Sequence, residues 1–146
     1  MINLTKRVPY EELNDKQKEI YNYQKVSAVL ADYGICTIRL SDDWNGADFI
    51  AVDLTGKSIN VQLKGRVHFA EKYLNKDLYI CFPLNNEWYL YPHDLVFENY
   101  NNRNGLTSQP NWEKNRNWHT ARPSRDLLDL LRPYLLSDYH GIKSAA

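Results

Sequence analysis

Apolar residues recur along this chain at two periods, and each period marks a different kind of element. From about Asn14 to Gly34, Ile20, Tyr23, Val26, Ala28, Val29, Leu30 and Tyr33 fall at three- and four-residue steps, with Lys16, Lys18, Lys25 and Asp32 mostly elsewhere. That spacing predicts an amphipathic helix, opened by Asn14 or Asp15 and closed near Gly34. The pattern then becomes strand-like. Ile35–Leu40, Ala47–Leu54 and Ser58–Arg66 predict three strands, the last two joined at Thr55-Gly56-Lys57, with Ser41–Gly46 as a loop of turn formers. Leu78–Pro83 and Glu87–Tyr91 predict a second hairpin around Leu84-Asn85-Asn86, and Pro92-His93-Asp94 opens a short helix reaching about Glu98.

Asn99–Asn117 is rich in Asn, carries Gly105 and Pro110, and shows no period, so it predicts a long loop. Ser124 then caps a helix with Leu127, Leu128, Leu130 and Leu131 inward, and Pro133 kinks it or starts a second turn. The tail from Ser137 is expected to fray. Helix, three strands, connector, two strands and helices make an α/β (α+β) chain: a mixed central sheet of about five strands flanked by helices. At 146 residues it predicts one domain, 1–146, with its core over about 15–100 and a C-terminal loop and helix over 101–146.

Composition excludes more than it selects. Lys+Arg and Asp+Glu balance at 18 each, so no strongly basic nucleic-acid binder is indicated, although a local basic face is compatible with a neutral total. No apolar run is long enough to span a bilayer, and no signal peptide is visible. Cys36 and Cys81 lie in apolar runs without metal spacing and predict buried free thiols in a reducing cytoplasm. There is no Gly-rich phosphate loop, no Gly-x-Ser-x-Gly elbow and no zinc spacing among the four histidines.

The chemistry sits on the hairpin Gly46–Arg66. Ile59, Val61 and Leu63 point one way along the second strand, and Asn60, Gln62, Lys64 and Arg66 the other. A tight turn pairing Leu54 with Ser58 brings Asp48, at the start of the first strand, near Gln62 and Lys64. A carboxylate and an amide oxygen are hard ligands suited to Mg²⁺ or Mn²⁺, and a lysine beside them can orient a water or stabilise developing charge. Gly46-Ala47-Asp48, an apolar run, a turn and Gln62-Leu63-Lys64-Gly65-Arg66 together resemble the PD-(D/E)XK nuclease superfamily, over roughly residues 15–92. The resemblance implies a restriction-endonuclease-like core and a DNA endonuclease, with RNA as the lesser substrate. It implies that Asp48, Gln62 and the Leu63 carbonyl hold Mg²⁺ or Mn²⁺ and that Lys64 serves the attacking water. Gln62 stands where that family usually has Glu, which implies weaker metal binding and one ion per site. The helix acid often found in the family falls near Gln24, an amide, with Glu19 the nearest acid.

Arg66, His68, Arg116 and Arg122 are candidates for nucleic-acid contact. Trp112, Arg116, Trp118, His119, Arg122 and Arg125 interleave aromatics and cations, a mixture that suits stacking and phosphate contact but equally describes two core tryptophans with solvated arginines. Asp53 reads as a turn residue, Asp42 and Asp43 as loop solvation, His93 as a helix start, and Tyr79, Tyr89 and Tyr91 as sheet packing. A neutral domain grips duplex DNA weakly, so a homodimer or a targeting partner is expected. The competing expectations are a catalytically inactive nuclease fold that binds nucleic acid or a protein, and an interaction protein of unrelated α+β fold.

Overall fold

A computed structural model of the chain describes residues 1–44 and 46–136, with the side chains of Asp43 and Trp44 outside that description. Asn45 and the tail from Ser137 also lie outside the described residues. The first long element is helix α1 (Asp15–Ala31). Asn14 caps it reciprocally: its side chain accepts from the Gln17 N–H at 2.8 Å, and the Gln17 side chain accepts from the Asn14 N–H at 3.0 Å.

Strands β1 (Cys36–Trp44), β2 (Ala47–Val52), β3 (Ser58–Leu63), β5 (Leu78–Leu84), β6 (Glu87–Pro92) and β8 (Leu135–Leu136) build a six-stranded sheet in the order β1-β2-β3-β5-β6-β8. Only the β3–β5 pair among these is parallel; the other pairs are antiparallel. A separate two-stranded sheet pairs β4 (Val67–Ala70) with β7 (Asn117–Thr120). Helices α2 (His93–Asn104), α3 (Pro110–Asn115) and α4 (Arg125–Leu131) complete the fold. This is the mixed sheet flanked by helices that the sequence predicts, with six strands where about five were expected.

Each face of the sheet has its own core. Val26 and Leu30 of α1 pack on Phe49, Ala51, Val61 and Cys81. The other face carries Ile80, Phe82, Tyr91, Phe69, Phe97, Tyr100, Leu127 and Leu131, which join β5 and β6 to the small sheet, α2 and α4. Val61 therefore meets α1 as its parity requires. The opposite parity faces the second core, because Gln62 lies beside the buried Ile80 in the parallel register.

Several expectations change. Ser41–Trp44 is strand, with an irregularity between Arg39 and Trp44, where the sequence predicted loop. The stretch predicted as loop is mostly helical: α2 runs to Asn104, a 3-10 turn covers Leu106–Ser108 and α3 follows. Val96, Phe97 and Tyr100 supply a buried helical stripe, and Gly105, at φ 62°, ends the helix in a left-handed conformation that glycine adopts without strain. Cys81 is buried, but Cys36 is exposed, because β1 is an edge strand and its outward face meets solvent.

Candidate active site at the end of the central hairpin

The β2–β3 turn sets the register of the site. Asp53 Oδ1 accepts from the Thr55 N–H at 2.8 Å, the Thr55 hydroxyl at 2.7 Å and the Lys57 N–H at 3.0 Å. Asp53 is thus a turn residue, and these bonds hold its carboxyl below the usual carboxylate range, the Thr55 hydroxyl most of all. The turn makes Val52 the partner of Ser58, where the sequence suggested Leu54. One step beyond Phe49–Val61, Asp48 stands across from Gln62, and not from Lys64. The corrected register still keeps the trio at one end of one hairpin.

There the strands part, and a side chain takes over from the ladder. The Leu63 N–H donates to Asp48 Oδ2 at 2.8 Å, which aims the half-buried carboxylate across the strand gap. Leu63 itself leans on the α1 core, so its backbone is fixed from both sides. The Lys64 N–H donates to the Cys81 carbonyl at 2.8 Å, extending the parallel pairing by one residue. The half-buried Lys64 ammonium lies 5.6 Å from the centroid of the Tyr73 ring, a cation–π contact that restrains a long flexible chain. Tyr73 is buried, and a Cβ on Gly46 would lie 3.4 Å from the same ring, so Tyr73 links the entry to β2 with the exit from β3.

The other candidates separate. Arg66 does not continue the polar stripe of β3, because that strand ends at Leu63 and the chain turns through Gly65 into β4. It is exposed and lines a hollow of about 80 Å³ with Thr120, Ala121 and Pro123. Arg122 is exposed in the bend after β7. Arg116 lies toward the opposite end of the small sheet, left-handed at φ 56°, with its guanidinium 3.5 Å from Glu71. Trp112 is buried, and Trp118 stacks on Phe69 at 5.9 Å, so both plug the core. Gln24 is exposed, and Glu19 is paired with Arg39 and Lys16; α1 turns Tyr23, Ser27 and Leu30 to the sheet instead.

His68 stays near the site. Its ring centroid is 6.0 Å from Tyr73 and 5.4 Å from His119, on which it stacks. Its backbone is clamped by a buried phenol: the Tyr91 hydroxyl accepts from the His68 N–H at 3.0 Å and donates to the His68 carbonyl at 2.7 Å. Burial, then Lys64, His119, Lys72 and His93, push the His68 pKa down to about 4. His93 is fully buried at the start of α2. Its Nε2 accepts from the Ala70 N–H at 3.1 Å, and its Nδ1 is 2.9 Å from Asp94 Oδ1. A backbone donor at Nε2 requires a lone pair there, so Nδ1 carries the proton; burial lowers its pKa, against the Asp94 contact. What sequence reading missed is the contact of Tyr73 with Lys64 and His93 and the Tyr91 clamp on His68, which depend on the β4 crossover. His93 does start a helix and Tyr91 does pack in the sheet, as expected.

These histidines give a pH prediction. Native His68 takes its proton only near pH 4, whereas an unperturbed histidine does so near 6.5. The unfolded chain therefore holds more protons between those values, and stability rises with pH across that window. Thermal melting is expected to fall as pH drops from 6.5 towards 4, and His68→Gln is expected to flatten that slope. An unchanged slope in the variant overturns the assignment.

Hard oxygen donors dominate the site: the Asp48 carboxylate, the Gln62 amide and the Leu63 carbonyl. Among the described residues no group of three or more His, Cys, Asp or Glu side chains is placed to hold a metal. The donor set nonetheless fits one Mg²⁺, which commonly uses one or two carboxylates and completes its shell with water and substrate phosphate. Among the described residues no helix is long and apolar enough to cross a membrane.

The chain thus has a mixed α/β fold whose central hairpin carries an acid, an amide and a lysine at one end. Among the solved structures similar to it are the following two. One is the Holliday junction resolvase of the archaeal hyperthermophile Archaeoglobus fulgidus, at 12% identity and a TM-score of 0.44, covering 53% of this chain and 75% of that one. The other is a bacterial homing endonuclease, at 13% identity and a TM-score of 0.44, covering 91% of this chain and 99% of that one. No family model and no curated protein matches the chain.

Proposed function

We propose that the protein is a metal-dependent endonuclease that hydrolyses phosphodiester bonds in DNA, with Asp48, Gln62 and Lys64 as its catalytic residues. The observation that carries this reading is the Leu63 N–H bond to Asp48 Oδ2 at 2.8 Å, which holds the acid against the Gln62-Leu63-Lys64 segment where β2 and β3 part. Asp48, Gln62 and the Leu63 carbonyl would hold one Mg²⁺ or Mn²⁺. Bound there, the ion supplies charge to polarise a phosphate oxygen and acidify a water. Lys64 stabilises negative charge developing on the phosphate and orients the water, and Tyr73 restrains its ammonium for that task. Gln62 contributes an oxygen without charge, so this donor set would hold a metal more weakly than one with a carboxylate at that position. With charges balanced at 18 each, phosphate neutralisation gives little grip on duplex, and a second copy or a partner supplies the rest.

The test is Mg²⁺- or Mn²⁺-dependent nicking of supercoiled plasmid by the pure protein. Metal affinity offers a readout independent of turnover. Gln62→Glu adds a carboxylate and is expected to tighten Mn²⁺ binding on the order of tenfold in calorimetry, since ligand charge tunes affinity over decades. Equal affinities would show that position 62 does not face the ion. The amide at Gln62 and the lack of an acidic cluster among the described residues favour a second reading, an inactive nuclease fold that binds nucleic acid or a protein. Metal binding without nicking selects it.

A further inference from the structure

Immediately past Lys64 lies a groove that the proposed hydrolysis does not use. Gly65 forms part of its lining, together with Trp88 at the start of β6 and Tyr10, Tyr21, Asn22 and Lys25 from α1 and the turn before it. Its volume is about 530 Å³, within the size of small-ligand sites and too small for a duplex. The Tyr10 and Tyr21 rings meet at 5.2 Å with a 58° tilt. Asn22 Nδ2 donates to the Tyr10 hydroxyl at 2.9 Å and fixes that ring. Lys18 lies 5.4 Å from the Tyr10 ring and Lys25 5.2 Å from the Tyr21 ring. Tyr21 remains 38% exposed, far more than a core tyrosine.

We infer that this groove holds an unpaired stretch of nucleic acid, its bases on the tyrosines and its backbone along Lys25, the cation of the lining. Aromatic faces combined with ammonium groups are the means by which proteins grip single strands, because every base has a face to stack once it leaves the duplex. A paired duplex hides those faces and must be held by phosphate charge, which this neutral chain lacks. Glu11, also in the lining, disfavours phosphate on its side and keeps the backbone towards Lys25. The groove meets Lys64 only through the backbone at Gly65, since Gln62 and Lys64 face the other side of the sheet, so the inference adds a binding surface beside the site proposed above. It rests on that reading for the cleavage step, not for binding.

The experiment is fluorescence anisotropy in EDTA, with a labelled oligothymidine strand against the matching oligothymidine–oligoadenosine duplex. The single strand is expected to bind about tenfold more tightly than the duplex, and Tyr21→Ala to lose about tenfold of that affinity. Tyr33→Ala, an exposed tyrosine at the other end of α1, is expected to bind as wild type, with melting curves showing all three proteins folded. No preference for the single strand, or full affinity in folded Tyr21→Ala, overturns the inference. Single-strand binding that survives Lys64→Ala, in a protein that never nicks, refutes the nuclease reading and leaves the groove standing. Metal-dependent nicking without single-strand preference does the reverse.

Discussion

Lys64→Ala is expected to reduce metal-dependent plasmid nicking by about 100-fold or more, the loss seen when one preorganised charge donor is removed from a phosphoryl or acyl site. Stability should change little. The side chain is half-buried, its backbone bond to Cys81 is untouched, and its cation–π contact with Tyr73 contributes about 0.5–1 kcal/mol. Nicking and unfolding therefore separate cleanly in this variant. Lys64→Arg keeps the charge but replaces a compact ammonium with a planar fork, and recovers only part of the rate. Assay of wild type and both variants at equal concentration checks the point; a Lys64→Ala protein as active as wild type removes catalysis from this site.

The hairpin was legible because its chemistry and its period coincide. Val61 and Leu63 had to face a helix, which left Gln62 and Lys64 together on the other side. The two-residue error in register came from the turn. Asp53, readable as a turn former, gathers three donors and closes the loop one residue earlier on each strand than expected. What lay beyond reach was non-local. β4 has only four residues, and its partner β7 comes some fifty positions later, starting where the stretch read as loop ends. Nothing near His68 announces that pairing, so Arg66 was extrapolated along a strand that had ended. The Asn-rich face of α2 hid a helix for a different reason: Asn is a poor helix former, and the apolar positions Val96, Phe97 and Tyr100 are too few to declare a period alone. Cys36 misled because an apolar run on an edge strand need not be covered.

Phe69→Ala is expected to destabilise the protein by about 3–5 kcal/mol, as for large aromatic truncations in a packed core. Phe69 is fully buried, and its ring lies between 5.7 and 6.1 Å from those of Tyr91, His93, Phe97, Tyr100 and Trp118. It joins β4 to β6, α2 and β7 at once, so no single neighbour can move to fill the void. Against a total of about 5–15 kcal/mol for a domain of ordinary stability, the loss lowers melting on the order of 10 °C. Phe69→Leu retains much of the volume and is expected to lose less than half as much. The effect reaches the site as well, because β4 carries His68 between the Tyr91 clamp and the Lys64–Tyr73 contact. Loosening that strand should also reduce nicking under conditions where the variant is still folded. Urea unfolding followed by tryptophan fluorescence measures the first effect, and a loss below about 1 kcal/mol, under the usual range for such truncations, would mean that the small sheet is not anchored through this ring.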